Sequence, residues 1–347
     1  MRVIGSEISK KSNNLNLLKF IAAILVIFSH SFGLTGNGVD FLFTLTRGQL
    51  NFGGFAVSLF FFASGFYVTK GLLKRRKGIL YLKNRLFRIY PAFIVVVTVT
   101  AFILGPMVSS FSVYEYFKFK EVYTYLLYLF MIPRYALPGV FETNPYAGVV
   151  NGSLWTLILE AMCYIGLYVI YKCGFLKQKK IKIIYVLIGI VSILFLGLKV
   201  GRIYQYHSYL RPLLVFFVGS CFYIMKDEIE LELRKWIIAL ILTIILFIVQ
   251  WGDVAVIFFF PYLFSGIIFA PKQVNDKGAR LGNYSYGIYL SAFPIQQTLV
   301  QYINNITPYM NTLLTTVICV VIAIVIYHCV ELPVAKLEKV KFSKNKC

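Results

Sequence analysis

The sequence predicts an all-α membrane protein of about ten transmembrane helices, both termini cytoplasmic, with a partial helix in the external loop 112–152. Three observations predict it. Hydrophobic residues fill 59% of the 347 positions and charged residues only 14%, with a mean hydropathy of +0.75. A soluble domain carries about a quarter charged residues. The apolar runs reach the roughly 20 residues that a bilayer core requires. Lys and Arg are clustered between alternate runs, as positive loops on the cytoplasmic side are. One integral-membrane domain over 1–347 accommodates the whole chain.

The runs lie at roughly 15–34, 52–73, 91–111, 153–172, 181–199, 208–225, 234–250, 253–270, 282–303 and 311–332. Segments 1–14, 74–90, 172–182, 226–235, 271–280 and 333–347 hold 26 of the 35 Lys and Arg. The alternate segments, with the adjoining helix ends, hold seven: Arg47, Lys118, Lys120, Arg134, Lys199, Arg202 and Arg211. The first set is therefore assigned to the cytoplasm. Both 74–90 and 172–182 then face inward, so an even number of crossings separates them. The run Tyr123–Ile132, about ten residues, is also too short for an ordinary crossing. It is expected to dip into the interface as a partial helix covered by protein, because lipid leaves backbone groups unpaired.

Several classes are excluded. The net charge of +21 is spread over loops rather than gathered in a basic stripe with stacking aromatics, so no nucleic-acid partner is expected. The six cysteines (Cys163, Cys173, Cys221, Cys319, Cys329, Cys347) have no metal-ligand spacing, and neither a metal nor a disulfide is expected. The first run contains Lys19 and His30 and lacks a small-residue cleavage site, so it reads as a mature helix. Glu228, Glu230 and Glu232 read as a solvated acidic face.

Ionisable residues within spans cost about 2.5–3.5 kcal/mol at a helix centre and normally face a cavity or partner. Lys19 and His30 are eleven residues apart, close to three full turns, so they share a helix face about 16 Å apart. A snorkelling lysine and an interfacial histidine are the bland alternative. His30 is the imidazole placed to act as a general base near neutral pH. Glu160 lies about two turns into its helix, where it could orient an imidazole or make a packing hydrogen bond. His207 reads as a surface histidine, and His328 with Glu331 as a structural pair one turn apart. Ser64 and Gly65 suit close helix approach. Arg85 and Arg88 share a helical face and could clamp phosphates or serve as positive-inside anchors.

Taken in order, these stretches resemble the membrane acyltransferase family 3, which includes bacterial O-acetyltransferases of surface sugars. Lys19 and His30 match its basic-residue, ten-residue, His pattern. Ser64–Gly65–Phe66 matches its Ser-Gly-Phe motif, and Arg85, Arg88 and Pro91 its paired arginines before a proline. Trp155 through Glu160 is similar to Trp-Ser-Leu-x-x-Glu, and Gly282 through Leu290 and Val330–Glu331–Leu332–Pro333 to its closing motifs. Asn16 stands where many members carry Asp, and Ala292 where many carry His.

The resemblance implies transfer of an acyl group, expected to be acetyl, from cytoplasmic acyl-coenzyme A to a hydroxyl of a cell-surface or lipid-linked polysaccharide. Acyl-coenzyme A would be a co-substrate, and the protein would sit in the bacterial cytoplasmic (inner) membrane as a multi-pass protein. Its partners would be the bilayer and the glycan acceptor and, since no hydrolase-like domain is fused, the chain would act alone or with a separate periplasmic or extracellular acyl-handling protein. His30 would be the catalytic base with Glu160 supporting it. Arg85, Arg88 and Lys19 would bind the donor, and Ser64 would bond the acyl carbonyl or merely pack. A transporter, flippase or polymerase of lipid-linked sugars is the rival reading, but no clear internal repeat of the kind transporters carry is found.

Overall fold

The computed structural model describes residues 2–8, 13–75, 78–199, 206–271 and 276–337. Arg202 and Cys347 lie outside them, as do parts of the basic segments 1–14, 74–90, 271–280 and 333–347. Among the described residues every regular element is helical, and β pairing is limited to the isolated bridges Val3–Glu230 and Ser109–Val140.

The longer helices are α1 (Leu15–Leu34), α2 (Phe52–Arg75), α3 (Gly78–Val99), α4 (Trp155–Lys172), α5 (Gln178–Val191), α6 (His207–Ile224), α7 (Leu233–Ile248), α8 (Gly252–Phe258), α9 (Phe260–Ile268), α10 (Ser285–Tyr302) and α11 (Pro308–Ile326). Helices α3, α5 and α11 continue into π-helical turns at Thr100–Leu104, Ser192–Gly197 and Tyr327–Glu331. Among the described residues, six stretches are long and apolar enough to cross a membrane: Leu15–Leu34, Phe52–Lys74, Leu80–Val108, Gly152–Lys172, Gln178–Gly197 and Pro308–Leu337. Of the other four expected spans, α6 and α10 reach 18 residues but carry more polar side chains, among them Arg211, Gln296, Gln297 and Gln301, and α7 has 16 residues. The run 253–270 is divided into α8 and α9 at Phe259, just before Pro261, which starts a helix more readily than it continues one.

The chain packs as two compact units. The first comprises Met1–Ala22, Asp40–Leu82 and Leu159–Gly282. Here α2 and α6 lie in close contact. A Cβ on Gly65 would collide with the Phe216 carbonyl, and one on Gly219 with that of Phe62, so a glycine from each helix lets the backbones meet. A Cβ on Gly282 would likewise fall 2.5 Å from the Asn16 backbone. The acidic patch is ion-paired rather than simply solvated. Lys182 reaches Glu228 at 2.8 Å, and Lys235 pairs with Glu230 and Glu232. Hydrogen bonds from Lys182 and Gln178 hold the Glu228 carboxyl below the usual range.

The second unit comprises Ala23–Val39, Lys83–Ile158 and Asn283–Cys347. Helices α10 and α11 approach closely, with a Cβ on Gly287 only 2.9 Å from Ala323 Cα. The loop 112–152 holds short helices at Val113–Tyr116 and Lys120–Thr124 and a 3-10 helix at Tyr125–Phe130. A reciprocal cap between Ser112 and Glu115 starts the first of them. Val122, Tyr125 and Tyr128 are at most 1% exposed, and the Tyr116 hydroxyl donates to the Ala101 carbonyl at 2.8 Å. Burial pushes all three tyrosine phenols up, so they stay protonated.

Candidate active site

In the second unit, His30 lies on α1, one residue before a polar belt. Ser31 Oγ donates to the Ile27 carbonyl at 2.9 Å and meets Asn311 Oδ1 at 3.0 Å. Gln296 Nε2 donates to the same carbonyl and to Ser31 Oγ, both at 2.8 Å. Ser31, Gln296 and Asn311 are all 0% exposed. Such a network holds the backbone beside His30 in one geometry, since most of its buried polar groups satisfy one another; Gln296 Oε1 is left without a partner among the described residues. The imidazole is left open as well. Its Nδ1 is buried with no hydrogen-bond partner among the described residues. Its ring meets Phe293 edge-on, with centroids 5.5 Å apart. Ala292, the neighbour of Phe293, is buried and contributes no second imidazole.

Phe293 is held by a helix that proline interrupts. Pro294 has no N–H, so the Leu290 carbonyl one turn earlier loses its helical donor. Asn151 Nδ2 supplies the missing bond at 3.0 Å. Thr156 and the Tyr289 hydroxyl share a hydrogen bond of 2.6 Å beside it. The stretch leading into the Trp155–Glu160 motif is thus tied to α10 by side-chain bonds, which restore what the proline removes.

In the first unit, Glu160 on α4 accepts from Ser64 Oγ at 3.2 Å and from the Tyr164 hydroxyl. Ser64 and Tyr164 are themselves 3.1 Å apart. The three polar groups form a closed triangle. A carboxylate shared by two hydroxyls is stabilised by both and polarises Ser64 in return. Tyr81 donates to the Tyr164 carbonyl at 3.3 Å, fixing α4 against the start of α3. The partners of Glu160 seen here are therefore hydroxyls. Gly65 makes the close approach to α6, while Ser64 joins the polar triangle, so neighbours in one motif do different things. Lys19, half-buried, stands on α1.

Arg85 and Arg88 lie on α3 in the second unit, Arg85 half-buried and Arg88 exposed. Arg88 Nη1 pairs with Glu331 at 2.7 Å and stacks its guanidinium 5.8 Å from the Tyr286 ring. His328 and Glu331, read from the sequence as structural, are taken up by packing and pairing: His328 packs against Tyr284 and Tyr327, and Glu331 pairs with Arg88. Both stand on the π-helical turn Tyr327–Glu331.

His207 departs from the sequence reading. It begins α6 with its Nδ1 3.3 Å from Asp253, whose carboxylate also takes Arg211 at 2.9 Å. It is a member of a largely buried charge cluster rather than a plain surface histidine.

Sequence reasoning missed Tyr164, Phe293 and Gln296. Tyr164 could have been found, since it lies four residues after Glu160 on one helix face. Gln296 carried a weaker signal, as one of two adjacent amides within an apolar run. Phe293 carried none.

Known proteins share this chain's pattern along nearly its whole length. The family model described as an acyltransferase domain matches residues 12–328. The O-acetyl transferase of Shigella phage Sf6 is 29% identical over 301 residues, covering 84% of this chain and 86% of the relative. Nodulation protein 10 of Rhizobium leguminosarum bv. viciae is 29% identical over 163 residues, covering 45% and 43%. No solved structure matches significantly. With an acyltransferase-domain match of that extent over a chain of apolar helices, the chain belongs to the membrane acyltransferase family 3 and is an O-acyltransferase.

Proposed function

We propose that the protein moves an acetyl group from cytoplasmic acetyl-coenzyme A to a hydroxyl of a surface or lipid-linked polysaccharide, within the bacterial cytoplasmic membrane. In this reading the ten-span, both-ends-in topology holds, Arg85 and Arg88 face the cytoplasm and His30 lies towards the outside. The observation that carries the reading is the His30 Nδ1, buried yet without a hydrogen-bond partner among the described residues. An unsatisfied imidazole nitrogen is costly unless a ligand completes it.

His30 takes the proton of the acceptor hydroxyl as its oxygen attacks the acyl carbonyl. The carbon–sulfur bond then breaks, and the departing thiolate recovers the proton from the imidazolium. The acceptor leaves as an ester and the donor as a free thiol. Arg85, Arg88 and Lys19 are the groups for donor phosphates, Arg forks being matched to phosphate oxygens. The Ser64–Glu160–Tyr164 triangle is the second essential element, its carboxylate fixed by two hydroxyls. The chain acts alone or with a separate extracytoplasmic acyl-handling protein.

The test uses His30→Ala and Glu160→Gln expressed at wild-type levels. Purified protein is supplied with radiolabelled acetyl-coenzyme A, and acetyl on the surface glycan is measured in cells. Loss of label transfer in both variants is expected. Unchanged acetylation would overturn the assignment.

A further inference from the structure

A row of aromatic contacts links His30 to an exposed tyrosine. The His30 ring meets Phe293 at 5.5 Å, and Phe293 meets Tyr146 at 6.1 Å, both contacts edge-on with 73° between planes. Tyr146, in the loop 112–152, is the exposed end of this row at 49%. All three residues belong to the second unit. At the inner end is an imidazole nitrogen without a hydrogen-bond partner among the described residues, and at the outer end a tyrosine that is 49% exposed.

The backbone under Tyr146 is held firmly. Gln297 Nε2 donates to the carbonyls of Tyr146 at 2.7 Å and Val149 at 2.9 Å. Asn144 Nδ2 in turn donates to Gln297 Oε1 at 2.8 Å and to its carbonyl at 2.9 Å. Gln297 is 0% exposed and Asn144 only 7%. Between them, Gly148 closes a turn by bonding the Phe141 carbonyl at 3.0 Å, with positive φ at both residues. A tyrosine that merely anchors a loop at a membrane interface requires no such clamp. Two buried amides that fix the base of a half-exposed ring are what a pre-organised binding surface requires.

We propose that Tyr146 is the outer wall of the acceptor subsite, on which a pyranose ring of the acceptor stacks while one of its hydroxyls reaches His30. This rests on the function proposed above. A pyranose presents an apolar C–H face bordered by hydroxyls. It suits a site with aromatic walls and few, fixed polar groups. Phe293 lines the side between Tyr146 and His30, and a Cβ on Gly152 would lie 2.8 Å from its ring, so glycine there leaves Phe293 in place.

The experiment is saturation-transfer NMR on the detergent-solubilised full chain, with methyl glucoside, methyl galactoside, methyl mannoside and N-acetylglucosamine as probes. The wild-type protein and His30→Ala are expected to transfer saturation to C–H protons of at least one probe. Tyr146→Phe is expected to keep that signal. Tyr146→Ala is expected to bind about fivefold more weakly, equivalent to about 1 kcal/mol for one stacking partner. Gel filtration and melting temperature confirm that each variant is folded. Equal signals in wild type and Tyr146→Ala, or no signal with any probe, would overturn the proposal. Label transfer from acetyl-coenzyme A is followed in parallel. Its absence in wild type with sugar binding intact counts against the function, whereas transfer without Tyr146-dependent binding counts against the subsite.

Discussion

Asn151 donates its side-chain amide to the Leu290 carbonyl at 3.0 Å, the acceptor that Pro294 deprives of a helical partner. The bond repairs α10 one turn from Phe293 and so fixes the wall beside His30. Replacing Asn151 with Leu strands that carbonyl in the interior and should cost about 1–3 kcal/mol. A lower melting temperature in detergent is the readout. In a Pro294→Ala background the missing N–H returns, and the Asn151→Leu cost should shrink. An unchanged cost would show that the bond does not compensate for the proline.

The triangle at Glu160 makes a separate prediction. Tyr164→Phe keeps the ring and removes one of the two hydroxyls on the carboxylate. A hydrogen bond to a charged group is worth about 1.5–3 kcal/mol, so kcat should fall roughly 10- to 100-fold. Full activity in Tyr164→Phe, measured by acetyl release, would leave Tyr164 a packing residue.

Neighbours in the Ser-Gly-Phe motif should separate by phenotype. Gly65→Ala forces a methyl group into the Phe216 carbonyl and should destabilise by about 1–3 kcal/mol, with reduced yield of folded protein. Ser64→Ala should leave stability near wild type and lower activity. Equal losses of stability in both would contradict this division.

Arg88 offers a test of two roles at once. Arg88→Ala leaves the Glu331 carboxylate, 7% exposed, without its cation. The cost should be about 1–3 kcal/mol, below that of a fully buried pair because Arg88 is half exposed. Adding Glu331→Gln should restore the melting temperature. If Arg88 also binds donor phosphates, the double variant should keep a raised KM for acetyl-coenzyme A. Recovery of both quantities would make Arg88 purely structural.

Much of this architecture is legible in the amino-acid order alone. Helicity follows from long apolar runs, because a chain in lipid must satisfy its backbone hydrogen bonds within each segment. His30, Ser64 and Glu160 stand out because polar groups in spans are expensive. Their partners do not stand out, except where local spacing carries them, as from Glu160 to Tyr164. The pairing of Glu331 with Arg88 does not stand out either, because the two lie on different helices.

Composition and spacing along the chain establish the class of the protein, its family motifs and the polar residues that stand inside its apolar runs. All of these rest on the cost of placing charge in lipid and on regular helical periodicity, which are properties of the linear chain. Three-dimensional packing is what makes Glu160 bond Ser64 and Tyr164, gives Glu331 to Arg88, and leads Tyr146 and Phe293 to His30. Those contacts join residues from 4 to 263 positions apart. Most depend on which helix faces meet. No window of sequence contains that information.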